Sequence, residues 1–184
     1  MWQRSKGATE LSQMQRQYEF SWDLLGDITL GRPNLGPTTR LEVYRLAMFS
    51  IRDVLEKRLG QADADTIFYQ AGYLAGSEFY QHLFQAQGDF QQCIVQLQQL
   101  FRELGIGIVR IENADLATGK IVLTIAEDLD CSGLPESGTE ICVYDEGFLA
   151  GVLYQCTKKQ FVVKEIDCWC TGSRVCRFSA VIEE

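Results

Sequence analysis

Four potential metal ligands stand in the last third of this chain. They are Cys142, then Glu165, Cys168 and Cys176 in the run KEIDCWCTGSRVCRFSA, which reads E-x-x-C-x(7)-C. A tetrahedral site takes four such groups, so three thiolates and a carboxylate suffice for one zinc ion. A metal held there pins one end of a domain and leaves function to an apolar pocket elsewhere. The spacing leaves a second donor set open. Residues 165 and 168 point to opposite faces of a regular strand, so both bind one ion only if the strand bulges or bends between them. Cys168 and Cys170 share a face, which makes Cys142, Cys168, Cys170 and Cys176 the competing set. An all-thiolate set also admits an iron–sulfur cluster, although the chain has no C-x-x-C pair. His82 is the single histidine and is remote in sequence. A catalytic zinc needs an open position and usually histidine, so a structural site is expected. Cys93 and Cys156 read as small buried hydrophobes, and Cys131, in the turn-rich LDCSGLPESG, as exposed and inert.

Composition excludes several function classes. The 184 residues are 46% hydrophobic with net charge −8, enough apolar matter for one core. No basic stripe is present, which argues against nucleic acid as a partner. The acidic balance also disfavours docking on anionic lipid. No apolar run reaches the roughly 18 residues a transmembrane helix needs. Residues 1–17 hold no apolar leader. A cytoplasmic protein is expected, or one peripheral to a membrane through a partner.

Periodicity orders the elements. Residues 1–25 read as an N-terminal arm with Tyr18, Phe20 and Trp22, and residues 26–184 as a single domain. GDITLGRPNLGPTT, 26–39, reads as loop. A helix is predicted from Thr38 or Thr39 to Gly60, with Leu41, Tyr44, Met48, Ile51, Val54 and Leu55 on one face. A second spans 63–84 and mixes aromatics with Ala71, Gly72, Ala75 and Gly76, small enough for another backbone or a flat ligand to approach. A third spans 89–105. The period then changes to two, and IGIVRIEN and GKIVLTIAE form a hairpin. A helix over about 139–157 and a second hairpin around T-G-S close the chain. That order is α+β, an antiparallel sheet of hairpins with helices packed on one side.

Three stretches carry a resemblance: YQAGYLAG at 69–76, CVYDEGFLAGVL at 142–153, and the closing E-x-x-C-x-x-x-G-x-x-x-C-x-F of Glu165, Cys168, Gly172, Cys176 and Phe178. In these the chain resembles the 4-vinyl-reductase domain family, relatives of TRAPP trafficking subunits and more distantly of haem–nitric-oxide-binding domains. The resemblance implies a compact, often dimeric domain with zinc at one end. It implies Cys142, Glu165, Cys168 and Cys176 as the ligands, and a small aromatic or tetrapyrrole ligand in a buried pocket. The N-terminal GDITLGRPNLGPTTRLEVYRLAMFSIRDVL resembles stand-alone cyanobacterial members linked to photosynthetic complexes. The expectation is therefore a non-catalytic hydrophobic-ligand binder in pigment metabolism or photosystem assembly. Its partners would be a second copy of the chain and a photosynthetic-complex protein. The expected pocket lies between the helices at 63–84 and 140–157, lined by Phe68, Tyr69, Tyr73, Phe79 and Phe148, with His82 as a polar or axial group. Two alternatives stand beside it. One is a tetrapyrrole vinyl-reductase or its accessory subunit, against which count the missing dinucleotide loop and catalytic residues. The other is an interaction module that works through the arm.

Overall fold

The computed structural model describes residues 18–85 and 89–183, so the first part of the expected arm lies outside them. A 3-10 turn, Trp22–Leu25, lies in the expected arm, and a short helix α1, Ile28–Gly31, breaks the stretch expected to be loop. Asp27 explains the second, because its side chain accepts from the Leu30 N–H at 2.8 Å and so caps α1. Helix α2 runs Leu41–Leu59 and α3 runs Gln61–Leu83, joined by Gly60 alone at φ +88°. Helix α4, Phe90–Glu103, starts where Asp89 accepts from the Gln92 N–H at 3.0 Å. It buries Cys93, Ile94, Leu97 and Phe101, one face at helical spacing.

Strands β1, Ile108–Asp115, β2, Lys120–Ala126, β3, Phe161–Asp167, and β4, Cys176–Ile182, form one antiparallel sheet in the order β1-β2-β4-β3. Both predicted hairpins are present and meet through β2 and β4. On β3, Phe161, Val163 and Glu165 are buried while Val162, Lys164 and Ile166 are exposed. One covered face and one solvated face follow, as expected. Helix α5, Val143–Thr157, lies between that covered face and α3, and is buried without interruption from Glu146 to Leu153. A helix enclosed on all sides carries no polar stripe. The helix begins four residues later than predicted, because the Ser137 and Gly138 N–H groups donate to the Cys170 carbonyl, each at 2.9 Å. That stretch is tied to the β3–β4 connection and has no helical partner to spare.

The closest packing is between α3 and α5. A Cβ at Gly72 would strike the Tyr144 carbonyl, and one at Gly76 the Phe148 carbonyl. Reciprocally, a Cβ at Gly147 would strike the Tyr69 carbonyl, and one at Gly151 the Tyr73 carbonyl. Two glycines four apart on each helix therefore let the two backbones touch. At these glycines the small residues admit a backbone and leave no slot for a flat ligand. Cys93 and Cys156 are also not independent core residues. They face each other from α4 and α5, Cα–Cα 6.2 Å, and are joined as a disulfide. Among the described residues no helix is long and apolar enough to cross a membrane.

Candidate functional site

The cysteine-rich end is assembled from four separate elements. Cys142 is the N-cap of α5. Glu165 sits on the covered face of β3, in phase with Phe161 and Val163. The β3–β4 register shifts between Glu165 and Asp167, which is the irregularity that donors at both 165 and 168 require. Cys168 follows it and opens a tight turn. The Thr171 N–H and Ser173 N–H both donate to the Cys168 carbonyl, at 3.1 and 3.0 Å, and Gly172 closes the turn at φ +94°. A non-glycine residue is strained there. Cys176 then begins β4, opposite Ile125 of β2.

These elements bring the donor atoms of Cys142, Glu165, Cys168 and Cys176 within 4.8 Å of one another, together with that of Cys131. Cys131 corrects its sequence reading. It is fully buried, and its Sγ lies 3.0 Å from Cys176 Sγ. The reason is local. The Asp128 carboxylate accepts from the Asp130 and Cys131 N–H groups, at 2.8 and 3.1 Å, which turns the Cys131 side chain inward. Helix α2 holds the same loop, since Arg45 donates to the carbonyls of Leu129 at 2.9 Å and Ser132 at 3.0 Å. Tyr44 donates to Asp130 at 2.7 Å. Nothing in the spacing of Cys131 marks it, because its approach depends on where α2 packs. Cys170 is buried too but is not in the donor group, and its carbonyl anchors Ser137 and Gly138.

The donor chemistry suits a cation. Cys142 Sγ lies 4.0 Å from Cys168 Sγ and 3.8 Å from Cys176 Sγ. Metal–sulfur bonds of about 2.3 Å in a tetrahedron give a sulfur–sulfur edge of roughly 3.8 Å. Thiols from Cys131, Cys142 and Cys176 converge on Cys168 and hold its thiol far below the ordinary value. Contacts with Cys131, then Cys168 and Cys176, drive Cys142 far up. The Glu165 carboxyl is pushed up to about 8, by burial first and then by the Cys168 charge. One of its oxygens, Oε2, accepts from the Cys142 N–H at 3.1 Å, while Oε1 is buried without a partner. Converging sulfurs and an orphaned carboxylate oxygen are a set that a four-coordinate metal satisfies.

The expected ligand-binding residues separate into three places. Phe79 and Phe148 line an apolar groove of about 470 Å³ beside the α3–α5 contact, with Phe20, Trp22, Leu25 and Leu74 as further walls. Phe68 lies in a smaller cleft of about 280 Å³ with Met48, Phe49, Arg52 and Leu134, and the Arg52 guanidinium sits over its ring. Tyr69 and Tyr73 line neither. The Lys164 ammonium lies over the Tyr69 ring, and the Tyr73 hydroxyl reaches Gln160 at 3.3 Å. His82 stacks flat on Trp22, ring centroids 4.6 Å apart, with Nδ1 2.9 Å from the Glu78 carbonyl. It therefore buttresses the groove wall from behind. Sequence reasoning missed Leu25 and Leu74. Phe20 and Trp22 carried a signal, as aromatics in an otherwise polar arm, and part of that arm docks on its own domain.

Residues 121–182, which include β2, α5 and the whole β3–β4 turn, match the V4R domain family. Over that stretch the chain is similar to a V4R domain. An uncharacterised protein of Methanocaldococcus jannaschii, MJ1642, is 32% identical over 45% of this chain and 49% of its own length. The chain thus spans about half the length of the first curated relatives it matches. The fold is shared with a vinyl-4-reductase family protein from the same organism, at 18% identity, TM-score 0.59, covering 81% of this chain and 85% of that one. It is shared with trafficking protein particle complex subunit 3 of Naegleria fowleri, solved with covalently bound palmitic acid, at 14%, 0.60, 78% and 95%. The phenol-responsive sensory domain of the transcription activator PoxR, solved with phenol, has it at 18%, 0.57, 74% and 73%. These structures share the fold that the sequence resemblance implies.

Proposed function

We propose that this chain is a non-catalytic binding module for a small hydrophobic molecule, with a structural zinc at the start of α5. The observation that carries the reading is the groove walled by Phe20, Trp22, Leu25, Leu74, Phe79 and Phe148. About 470 Å³ of mostly apolar wall with few polar groups is what small-ligand sites offer. Two proteins of the same fold were solved with apolar or aromatic molecules, phenol and palmitic acid. The zinc reading rests on the donor set of Cys142, Glu165, Cys168 and Cys176 and on the orphaned Glu165 oxygen. A flat aromatic fits a groove edged by aromatic rings, and a tetrapyrrole is the large member of that class. The pigment-metabolism or photosystem setting rests on the sequence resemblance alone. Residues 1–25 form an arm and 26–184 the domain, and Phe20, Trp22 and Leu25 of the arm complete the groove wall.

Native mass spectrometry on protein from a pigment-producing host tests the ligand. A bound organic mass identifies it, phenol-sized or tetrapyrrole-sized. Leu74→Glu then serves as the control, because Leu74 lines the groove yet is 44% exposed, so the fold tolerates the change. Losing one leucine contact of about 1.5–3 kcal/mol weakens binding by roughly 10- to 100-fold. A ligand retained at full occupancy in Leu74→Glu would place it elsewhere.

A second copy of the chain is the partner we favour. Helix α2 buries none of its residues and exposes Val43, Leu46, Ile51 and Val54 on one flank, with Lys57 and Arg58 at its C-terminal end. An apolar flank of that length on a surface helix marks an interface. Light scattering at micromolar concentration should find a dimer, and Leu46→Glu should make it monomeric with unchanged helicity. A wild-type monomer would remove this reading.

A further inference from the structure

The apolar groove beside the α3–α5 contact has a charge of one sign only. Among the described residues that line it, Glu78 is the one charged group, and no lysine or arginine is present. We propose that the groove takes a small organic cation, an aromatic or other apolar body that ends in an amine, with the Glu78 carboxylate receiving the ammonium group and the surrounding rings holding the body. This rests on the binding reading above and names the chemical class of its ligand.

Three observations favour a cation. The first is where the carboxylate stands. Glu78 Oε2 lies 3.6 Å from His82 Nδ1, and the His82 ring is stacked on Trp22, so the charge sits beside the Trp22 wall. That distance is beyond a hydrogen bond. The same Nδ1 is 2.9 Å from the Glu78 carbonyl, so the ring is committed to the backbone and leaves the carboxylate for another donor. The Glu78 side chain is only 20% exposed, and a half-sunk charge is screened less than a surface one. The second observation is the rings. Phe79 and Phe148 meet edge to face at 66°, centroids 5.1 Å apart, and Phe20 and Trp22 add two more to the same groove. Ring faces attract cations, and clustered rings are a recurring way to hold ammonium groups. The third is what a competitor would meet. A carboxylate-ended molecule of the same shape is repelled by Glu78 and finds no basic side chain on these walls. The smaller cleft differs here, because Arg52 lines it. The net charge of −8 on the whole chain also favours the approach of a cation over that of an anion.

Calorimetric titration of the full chain with three indoles of one shape decides it: tryptamine, which is cationic at neutral pH, 3-ethylindole, which is neutral, and indole-3-propionate, which is anionic. Tryptamine should bind about 10- to 100-fold more tightly than the propionate, as a charge-assisted contact gives, with 3-ethylindole between them. Glu78→Gln keeps the shape of the side chain and removes its charge. It should bring tryptamine level with 3-ethylindole and leave 3-ethylindole as in wild type. Equal binding of the three by wild type, or tightest binding of the propionate, would overturn the cation while leaving the groove reading intact, whatever the fate of the variant. A preference for tryptamine that persists in Glu78→Gln would overturn the role of this carboxylate. No binding of any of the three at millimolar concentration would overturn the groove reading and this proposal together.

Discussion

Gly147→Ala is expected to destabilise this protein more than any other single-methyl addition. The added carbon would meet the Tyr69 carbonyl carbon and oxygen and the Tyr73 nitrogen, all backbone atoms of α3. A flexible side chain could move aside, but a helix backbone moves only as a unit. Helices α3 and α5 would have to part, opening the Gly72 and Gly76 contacts as well, and α5 is pressed against the sheet on its other side. Overpacking of a well-packed core costs about 1–3 kcal/mol, and a backbone collision lies at or above the top of that range. For a chain of this length about 3 kcal/mol lowers the melting temperature by roughly 6–12 °C. Gly31→Ala is the matched control, since a Cβ there meets nothing and φ is ordinary. Its melting temperature should stay within a degree or two of wild type. Equal behaviour of the two variants in a thermal melt would mean that the α3–α5 contact is looser than described.

Loss of the metal is the second large effect. Zinc removal by a strong chelator, or Cys168→Ser, should lower thermal stability by at least about 10 °C and abolish stoichiometric zinc. Structural zinc contributes folding free energy outright, of the order of 10 kcal/mol in peptides that have no other core. Here a hydrophobic core remains between the sheet and helices α4 and α5, so the domain should weaken rather than unfold. The loss should concentrate on the parts that the cluster joins: the start of α5, the β3–β4 turn and the 128–132 loop. Cys170→Ser is the informative comparison. Cys170 is equally buried but outside the donor group, so its variant should keep its zinc. Element analysis of the purified variants together with melts in the presence and absence of chelator reads both quantities. Zinc lost from Cys170→Ser as well as from Cys168→Ser would restore the competing donor set, and unchanged melting in all samples would remove the centre.

Much of this was legible in the chain. Period-two alternation in IVRIEN, KIVLTIA and FVVKEID placed three strands, because a sheet with one covered face demands it. The E-x-x-C spacing carried its own geometric requirement, a break in strand register, and the register shift between Glu165 and Asp167 lies there. Gly72 and Gly76 announced a close approach, though not what approaches. Local pattern could not say that Gly147 and Gly151 are their counterparts. The same limit hid the Cys93–Cys156 link, between residues 63 apart in sequence.

The sequence by itself determined the element order, the antiparallel sheet and which C-terminal residues can meet, since these follow from periodicity and from separations of a few residues. The tertiary structure alone decided two things. It brought Cys131 into the cluster through the hold of Arg45 and Asp128 on its loop. It also set the apolar groove along one side of the α3–α5 contact, where Trp22 lies against His82 and closes one wall. Both depend on contacts between segments distant in the chain, which packing creates and no local spacing encodes.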